Sequence, residues 1–370
     1  MPLARTLTVA ALNRALLARQ LLLQRRRLAV QRAVHRVGGL QSQEPRDPHV
    51  ALWSRIAGFE SHRLQAACER RELVRGTLLR GTIHTASADD YLAFRALLQP
   101  VLDRELQPGR PVGEGFDAAL AAAVRELSAQ SGPQTAQQLA QALTARFPAA
   151  DKDTLARWAR TRVALAMVPG DERWGYSRPP RFLPAEQWLG RPLRQVGIDE
   201  LMLRGLSAIG PASAADLRCW SGLSGCKAAL EGLAPGLMVF RDEQGRTLYD
   251  LPDAPRPRAD TPAPVRLLPE YDNCLLSHED RTRIVPAAHA RRFAMGPNGR
   301  RPRALLVDGF VRGCWNVAVE GDEAVMTIEP FERLAAGERA AVEGEAQALL
   351  AFLEPLATRQ ALRWAGSASR

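Results

Sequence analysis

Two stretches, GPQTAQQL and GPASAADL, begin at Gly132 and Gly210, 78 positions apart, and this repeat constrains the fold more than any other feature of the chain. Each is a Gly-Pro turn followed by a Thr or Ser suited to accept hydrogen bonds from the first N–H groups of a helix. A leucine follows four residues on. In the second copy Ser213 precedes Asp216 by three, the spacing of a capping box with an acid shorter than the usual Glu or Gln. A fainter third copy, TVAAL, runs from Thr8 to Leu12. A recurring unit of this length is a supersecondary building block, and its copies bury apolar faces against one another.

The surroundings of the copies agree as well. Each is preceded by a helical pattern, residues 118–129 and 200–209, and followed by another helix, DKDTLARWARTRVALAMV in one case and a shorter one ending near Leu233 in the other. After the second comes LMVFRDEQGRTLYDL, two apolar runs around Glu243-Gln244-Gly245, which reads as a β-hairpin. After the first, strand-like residues cover 174–183. Helix, turn, helix, turn, helix, hairpin is the order of a winged helix. The first part of the chain fits it more loosely, with helices over 8–24 and 26–37, further helices from Pro48 and Ser61, and LVRGTLLRGTIHTAS as the hairpin. A long helix over 88–107 follows. The Pro-rich run DLPDAPRPRADTPAP reads as a linker. Beyond it VRLLPEYDNCLLS, RALLVDGFVRGCWNVAV and AVMTIEPF read as strands, with a last amphipathic helix over 337–356. The expected class is therefore α+β: three tandem winged-helix units (1–115, 116–192, 193–252), a linker (253–264) and a small C-terminal β-rich domain (265–370) with a closing helix.

Charge adds direction. Fifty Lys and Arg against forty Asp and Glu give a net charge of +10, with only Lys152 and Lys227 as lysines. No acid precedes Glu44, whereas Arg5, Arg14, Arg19, Arg25, Arg26, Arg27, Arg32 and Arg36 all do; such a one-sided segment reads as facing a polyanion, nucleic acid before membrane. The five cysteines are scattered without metal-ligand spacing, which reads as reduced core thiols in a cytoplasm. The leucines of the N-terminal region are interrupted by Arg14 and Arg19, too often for a signal peptide or a membrane span.

Within that basic region lies VGGLQSQEP, Val37 to Pro45, where Gln41 and Gln43 follow a Gly-Gly helix stop. A glutamine after a helix is ordinarily solvated or a cap. With the repeat in place, however, GGLQSQEPRDPHVALWSRI, RGTLLRGTIHTAS, LLPEYDNCLLSHEDR and LLVDGFVRGCW, in that order, make the chain resemble the winged-helix DNA-binding proteins of the AlkZ-like DNA glycosylase group. The resemblance runs over most of the chain. It implies winged helices around a basic channel, and a Gln-apolar-Gln motif whose amides serve hydrolysis of the N-glycosidic bond in alkylated DNA. Gln41 and Gln43 fall on that motif, with Ser42 in place of an apolar residue. The i, i+2 spacing on an extended chain would put both amides on one face.

Other candidates are basic. Arg46 follows the motif; Glu44 is a rival general base, read rather as a partner of Arg46 or a cap of the helix after Pro48, and Asp47 reads as a surface cap. Arg75, Arg80 and His84 lie in the first hairpin, Arg157 and Arg160 share a helix face where a recognition helix would lie, and Arg300 and Arg301 flank Asn298-Gly299, a hairpin-turn signal. Glu270 and Asp272 look like paired carboxylates and read as structural. No phosphate-cradling loop, Ser/His/Asp set or zinc motif is present in the sequence. The expected function is a monofunctional DNA glycosylase acting on N7-alkylated purines in double-stranded DNA, with bulky adducts and cross-links as an extension. It would need no metal or organic cofactor, and would act as a monomer in a bacterial-type, nucleoid-associated cytosol without a membrane partner. The competing class is a non-catalytic winged-helix binder or transcriptional regulator, although regulators more often use one such unit per chain and dimerise over paired half-sites.

Overall fold

Thr8 opens the first helix: its hydroxyl accepts the Ala11 N–H at 3.2 Å, one of the donors that a helix start leaves unpaired. In the computed structural model, which describes residues 5–104, 115–296 and 300–366, a short strand β1 (Thr6–Leu7) precedes this helix, α1 (Val9–Arg19). Next come α2 (Val30–Arg36), β2 (Leu40–Gln41), α3 (Asp47–Trp53) and α4 (Ser61–Glu69). The hairpin β3 (Leu73–Thr77) and β4 (Ile83–Ser87) is followed by α5 (Ala88–Leu97) and α6 (Gln99–Asp103). These two short helices replace the single long one expected, because the Pro100 ring clashes with the preceding turn and ends the first at Leu98. The distal end of that expected helix, from residue 105, lies outside the described residues.

The two repeats then unfold in parallel. The first has α7 (Phe116–Ser131), β5 (Gln134–Thr135), α8 (Ala136–Arg146), α9 (Lys152–Arg162), β6 (Leu165–Met167) and β7 (Arg181–Pro184), with α10 (Ala185–Leu189) behind. The second has α11 (Ile198–Ile209), α12 (Ala214–Ser221), α13 (Cys226–Leu233), β8 (Met238–Asp242) and β9 (Thr247–Asp250). Both second helices start in closed capping boxes. Thr135 exchanges bonds of 3.2 and 3.0 Å with Gln138, and Ser213 does so at 3.1 and 2.9 Å with Asp216, so the shorter acid suffices.

The hairpins do not stand as separate wings. Arg75 and Gly76 of β3 pair with Met167 and Ala166 of β6, which joins the first two segments in one six-stranded sheet of order β2-β4-β3-β6-β7-β5. The β8–β9 hairpin instead takes β1 as a parallel third strand.

The C-terminal part holds β10 (Arg266–Leu267), α14 (Asn273–Leu276), β11 (Arg303–Val307), β12 (Phe310–Glu320), β13 (Glu323–Pro330), α15 (Ala336–Leu353) and β14 (Arg359–Trp364). Its sheet runs β10-β11-β12-β13-β14. Two expectations change here. The stretch from Val265 to Ser277 is strand for two residues only, because the Asp272 carboxylate accepts the Cys274 N–H at 3.1 Å and starts a turn of helix. The closing helix is not the last element, since β14 returns to pair parallel with β13. The Pro-rich run is anchored to the rest of the chain: the Thr261 carbonyl accepts from Arg14 Nε at 2.6 Å, and Arg256 pairs with Asp250 at 2.6 Å.

The N-terminal arginines divide in two. Arg14, Arg19 and Arg25 face carboxylates of this chain, Asp308, Asp250 and Glu345, at 2.6 to 2.8 Å, whereas Arg26, Arg27 and Arg32 are exposed. The reading of the whole segment as a polyanion-facing surface is corrected accordingly: charge seen in sequence was compensated by acids hundreds of residues away. Among the described residues all five cysteines are free thiols, three of them buried, no group of acids, cysteines and histidines could hold a metal, and no helix is long and apolar enough to cross a membrane.

Candidate active site

After α2 the chain reverses through Gly38 and Gly39, at φ +80° and +88°. That left-handed conformation strains any residue with a Cβ, and a Cβ on Gly38 would also meet Ala208 at 2.9 Å. The reversal lays β2 antiparallel on β4, with Leu40 opposite Thr85 and Gln41 opposite His84. One residue on, the Ser42 N–H donates to the Ile83 carbonyl at 2.8 Å. Ser42 itself is fully buried: its hydroxyl is bonded to the Leu40 carbonyl and Thr85 Oγ1, both at 2.8 Å, and accepts the Thr85 N–H at 2.9 Å. A small hydroxyl residue between the glutamines is thus a three-bond peg into the sheet, which answers why an apolar residue is not required there.

The glutamines differ in surroundings. Gln41 is 7% exposed, yet its neighbours are polar. Its Oε1 accepts from Arg80 Nη2 at 2.8 Å, and the same guanidinium donates to Asn273 Oδ1 at 3.0 Å and to the Trp220 carbonyl at 2.7 Å. Asn273 Nδ2 in turn donates to the Gly39 carbonyl at 2.8 Å, closing a ring back to the glycine turn. Gln43 is exposed, and its Oε1 accepts the Ile83 N–H at 3.3 Å. Each amide oxygen therefore has one donor among the described residues. A carbonyl has two lone pairs, so each keeps one to offer.

The surrounding charges are tuned by burial. His84 is fully buried beside Arg80, and the desolvation and the neighbouring cation push its pKa down to about 3. The neutral ring donates from Nδ1 to the Thr82 carbonyl at 3.0 Å, which leaves Nε2 as an acceptor 3.4 Å from Arg80 Nη2. Arg80 adopts φ +57°, a conformation that costs a non-glycine residue on the order of 1 kcal/mol or more; burial brings its pKa down to about 10. Arg75 is buried too, with its guanidinium over the Tyr176 ring at 4.6 Å and bonded to the Ser42 carbonyl at 2.7 and 3.2 Å. In this structure Arg75 and His84 are buried and Arg80 is half-buried, and all three lie against the glutamine segment.

The other candidates are dispersed. Arg157 and Arg160 project from α9, both exposed. Arg46, Arg300 and Arg301 line a cavity of about 700 Å³ that begins at Glu44, the residue after Gln43, and extends to the C-terminal sheet. Glu44 does not pair with Arg46 as expected; it binds Arg178 at 2.8 Å. Asp47 is no surface cap: it is 1% exposed, and neither carboxyl oxygen has a hydrogen-bond partner among the described residues. Glu270 chelates Arg300 at 2.9 Å, and Asp272 binds the buried Arg55 at 2.8 Å. The turn at Asn298-Gly299 lies outside the described residues. Asn273 and Trp220 were not singled out in the sequence. Asn273 had a signal, since it follows the acids of LLPEYDN, whereas Trp220 contributes only a carbonyl, which no side chain announces.

A family model for AlkZ-like DNA glycosylases matches residues 34–352. The chain belongs to the AlkZ-like DNA glycosylase family. As a member it is a DNA glycosylase, a hydrolase of N-glycosyl bonds that serves DNA repair, and its substrate is DNA. The fold agrees: Streptomyces sahachiroi DNA glycosylase AlkZ superposes with a TM-score of 0.74 over 97% of this chain and 100% of that one, at 20% identity. No curated protein sequence matches. The glutamine motif falls within the matched span of this AlkZ-like chain, which ends one residue short of the end of α15.

Proposed function

We propose that this AlkZ-like glycosylase hydrolyses the N-glycosidic bond of purines alkylated at N7, with Gln41 and Gln43 as its catalytic residues and no metal or cofactor in the step. A purine alkylated at N7 carries a positive charge and departs as a neutral base, so protonation by a strong acid is not needed. What remains is to hold a water on the sugar face and to stabilise the cation developing at C1′. Fixed amide dipoles do both without reorganising during the reaction. The observation that carries the reading is the pair of anchored amide oxygens, one bonded by Arg80 and one by the Ile83 N–H, each with a lone pair remaining. Exposed Gln43 is the nearer acceptor for the water, and Gln41, set in its polar ring, orients the partner side of the site.

Two surroundings favour this chemistry. The imidazole beside the motif is neutral down to about pH 3, so it supplies no acid. The two lysines are engaged elsewhere, Lys152 with Gln141 at 3.1 Å and Lys227 with Glu231 at 3.9 Å, which favours a monofunctional enzyme over one that attacks through an amine. Exposed Arg157 and Arg160 serve the duplex backbone, and a single chain engages one lesion. Loss of one such preorganised group typically costs about 10²- to 10³-fold in rate. Gln41→Ala and Gln43→Ala are therefore expected to slow single-turnover release of N7-methylguanine from a duplex by about that factor, with abasic sites as the readout. Release at the wild-type rate by both variants defeats the mechanism.

A further inference from the structure

The cavity beside the glutamine segment has an unusual balance of partners. Five arginines line it: Arg46, Arg178, Arg300, Arg301 and Arg303. Arg178 is taken by Glu44 at 2.8 Å, Arg300 by Glu270 at 2.9 Å, and Arg303 by Asn316 at 2.8 Å with Glu270 at 3.7 Å. Among the described residues, Arg46 and Arg301 make neither a hydrogen bond nor an ion pair through their guanidinium groups. Both are half-buried, and both have a second cation close by, Arg303 beside Arg46 and Arg281 beside Arg301. Asp47, Glu354 and Glu44 attract Arg46 without forming an ion pair with it. A guanidinium that is partly desolvated, holds no carboxylate in a hydrogen-bonded pair and is crowded by like charge is a seat for an incoming anion.

Beneath this seat lies Asp47. The carboxyl is buried with both oxygens unpartnered, and the groups that face it are Arg303 from β11, Glu270 and Tyr271 from the segment before α14, and Arg46 and Glu44 from its own turn. Arg303, Glu270, Arg46 and Glu44 are all cavity-lining residues. An ionised carboxylate here would repel an anion bound to Arg46. A protonated one would not.

We propose that this cavity seats one backbone phosphodiester of bound DNA on Arg46 and Arg301, and that Asp47 takes up a proton from solvent as the phosphate arrives. The inference rests on the DNA-acting reading of the site but not on which base is removed. Burial already pushes the Asp47 carboxyl up to about 7, so the linkage falls in an accessible range. The phosphodiester keeps its charge throughout that range and contributes no titration of its own.

The test is binding of an undamaged duplex, which is independent of base release. For the wild type, Kd is expected to rise as pH increases from 6 to 8.5, by up to about tenfold per unit above neutrality. Asp47→Asn, and Asp47→Ala as a second variant, are expected to bind with a flat profile at the wild-type low-pH strength. Arg46→Gln and Arg301→Gln should each weaken binding and lower the slope of log K against log salt by about one contact. Thermal melts supply an independent readout that does not need DNA. A carboxyl whose folded pKa is raised stabilises below its unfolded pKa and loses that contribution as pH rises towards about 7. The wild type should therefore lose stability relative to Asp47→Asn over that window. A pH profile of binding shared by the wild type and both Asp47 variants overturns the proposal, as does an unchanged salt slope in both arginine variants. Failure of base release with these linkages intact would touch only the proposed lesion.

Discussion

Gln41 is held by one donor, and that donor is held by others. The Arg80 guanidinium spans the Gln41 amide, the Asn273 amide and the Trp220 carbonyl, so it ties the motif to two distant parts of the chain. Asn273 is the member that can be removed without taking a charge away. Its loss leaves the Gly39 carbonyl without a donor and frees Arg80 to turn. Asn273→Ala is expected to lower the single-turnover rate of base release about tenfold or more, with duplex affinity unchanged, since Asn273 sits behind the motif and is 2% exposed. Equal losses in rate and affinity would show that Asn273 acts on DNA directly. At this scale the residue types were legible and their environments were not. Arg75, Arg80 and His84 read as phosphate contacts because they are polar residues in a hairpin. The structure buries Arg75 and His84 and half-buries Arg80 against the glutamine segment, and burial is a property of neighbours far along the chain.

The elements were legible wherever their cause is local. Thr8, Thr135 and Ser213 each cap a helix, and each does so through atoms within three residues. Both hairpins, β3–β4 and β8–β9, form where alternation and a Gly-containing turn announce them. The misses have identifiable physical reasons. Pro100 divided a helix whose apolar pattern continued through it, and the Asp272 cap turned a strand-like run into helix. The pairing of β3 with β6 had no signal in sequence, yet one residue enables it. A Cβ on Gly76 would stand 2.8 Å from the Leu165 carbonyl and 2.8 Å from the Tyr91 hydroxyl. Gly76→Ala is expected to destabilise the fold by about 1–3 kcal/mol, the usual range for an overpacked core site, seen as a lower midpoint in urea. An unchanged midpoint would mean that the two segments meet without that close approach.

Across the whole molecule, buried ion pairs join parts of the chain that local patterns treat as separate. Arg55, at the end of α3, chelates Asp272 of the C-terminal part at 2.8 Å, with side-chain exposures of 0% and 1%. Arg19 of α1 does the same with Asp250 of β9. Removing one partner strands a buried charge, which costs on the order of 3–5 kcal/mol. Asp272→Ala is expected to lower stability by that much and, because Asn273 adjoins it, to reduce base release as well. Stability within 1 kcal/mol of the wild type, measured in urea, would show that Arg55 finds other acceptors. By itself, the sequence determined the caps and the hairpins, because each is written in spacings shorter than one element, and the repeat and the family, because short motifs recur or follow one another in a fixed order along the chain. Only the tertiary structure decided which strands join, which arginines are spent on carboxylates of the same chain, and that Asp47 lies unpartnered beneath a cavity. Those outcomes depend on the desolvation and pairing of charge, which sum over contacts hundreds of residues apart and leave no local pattern.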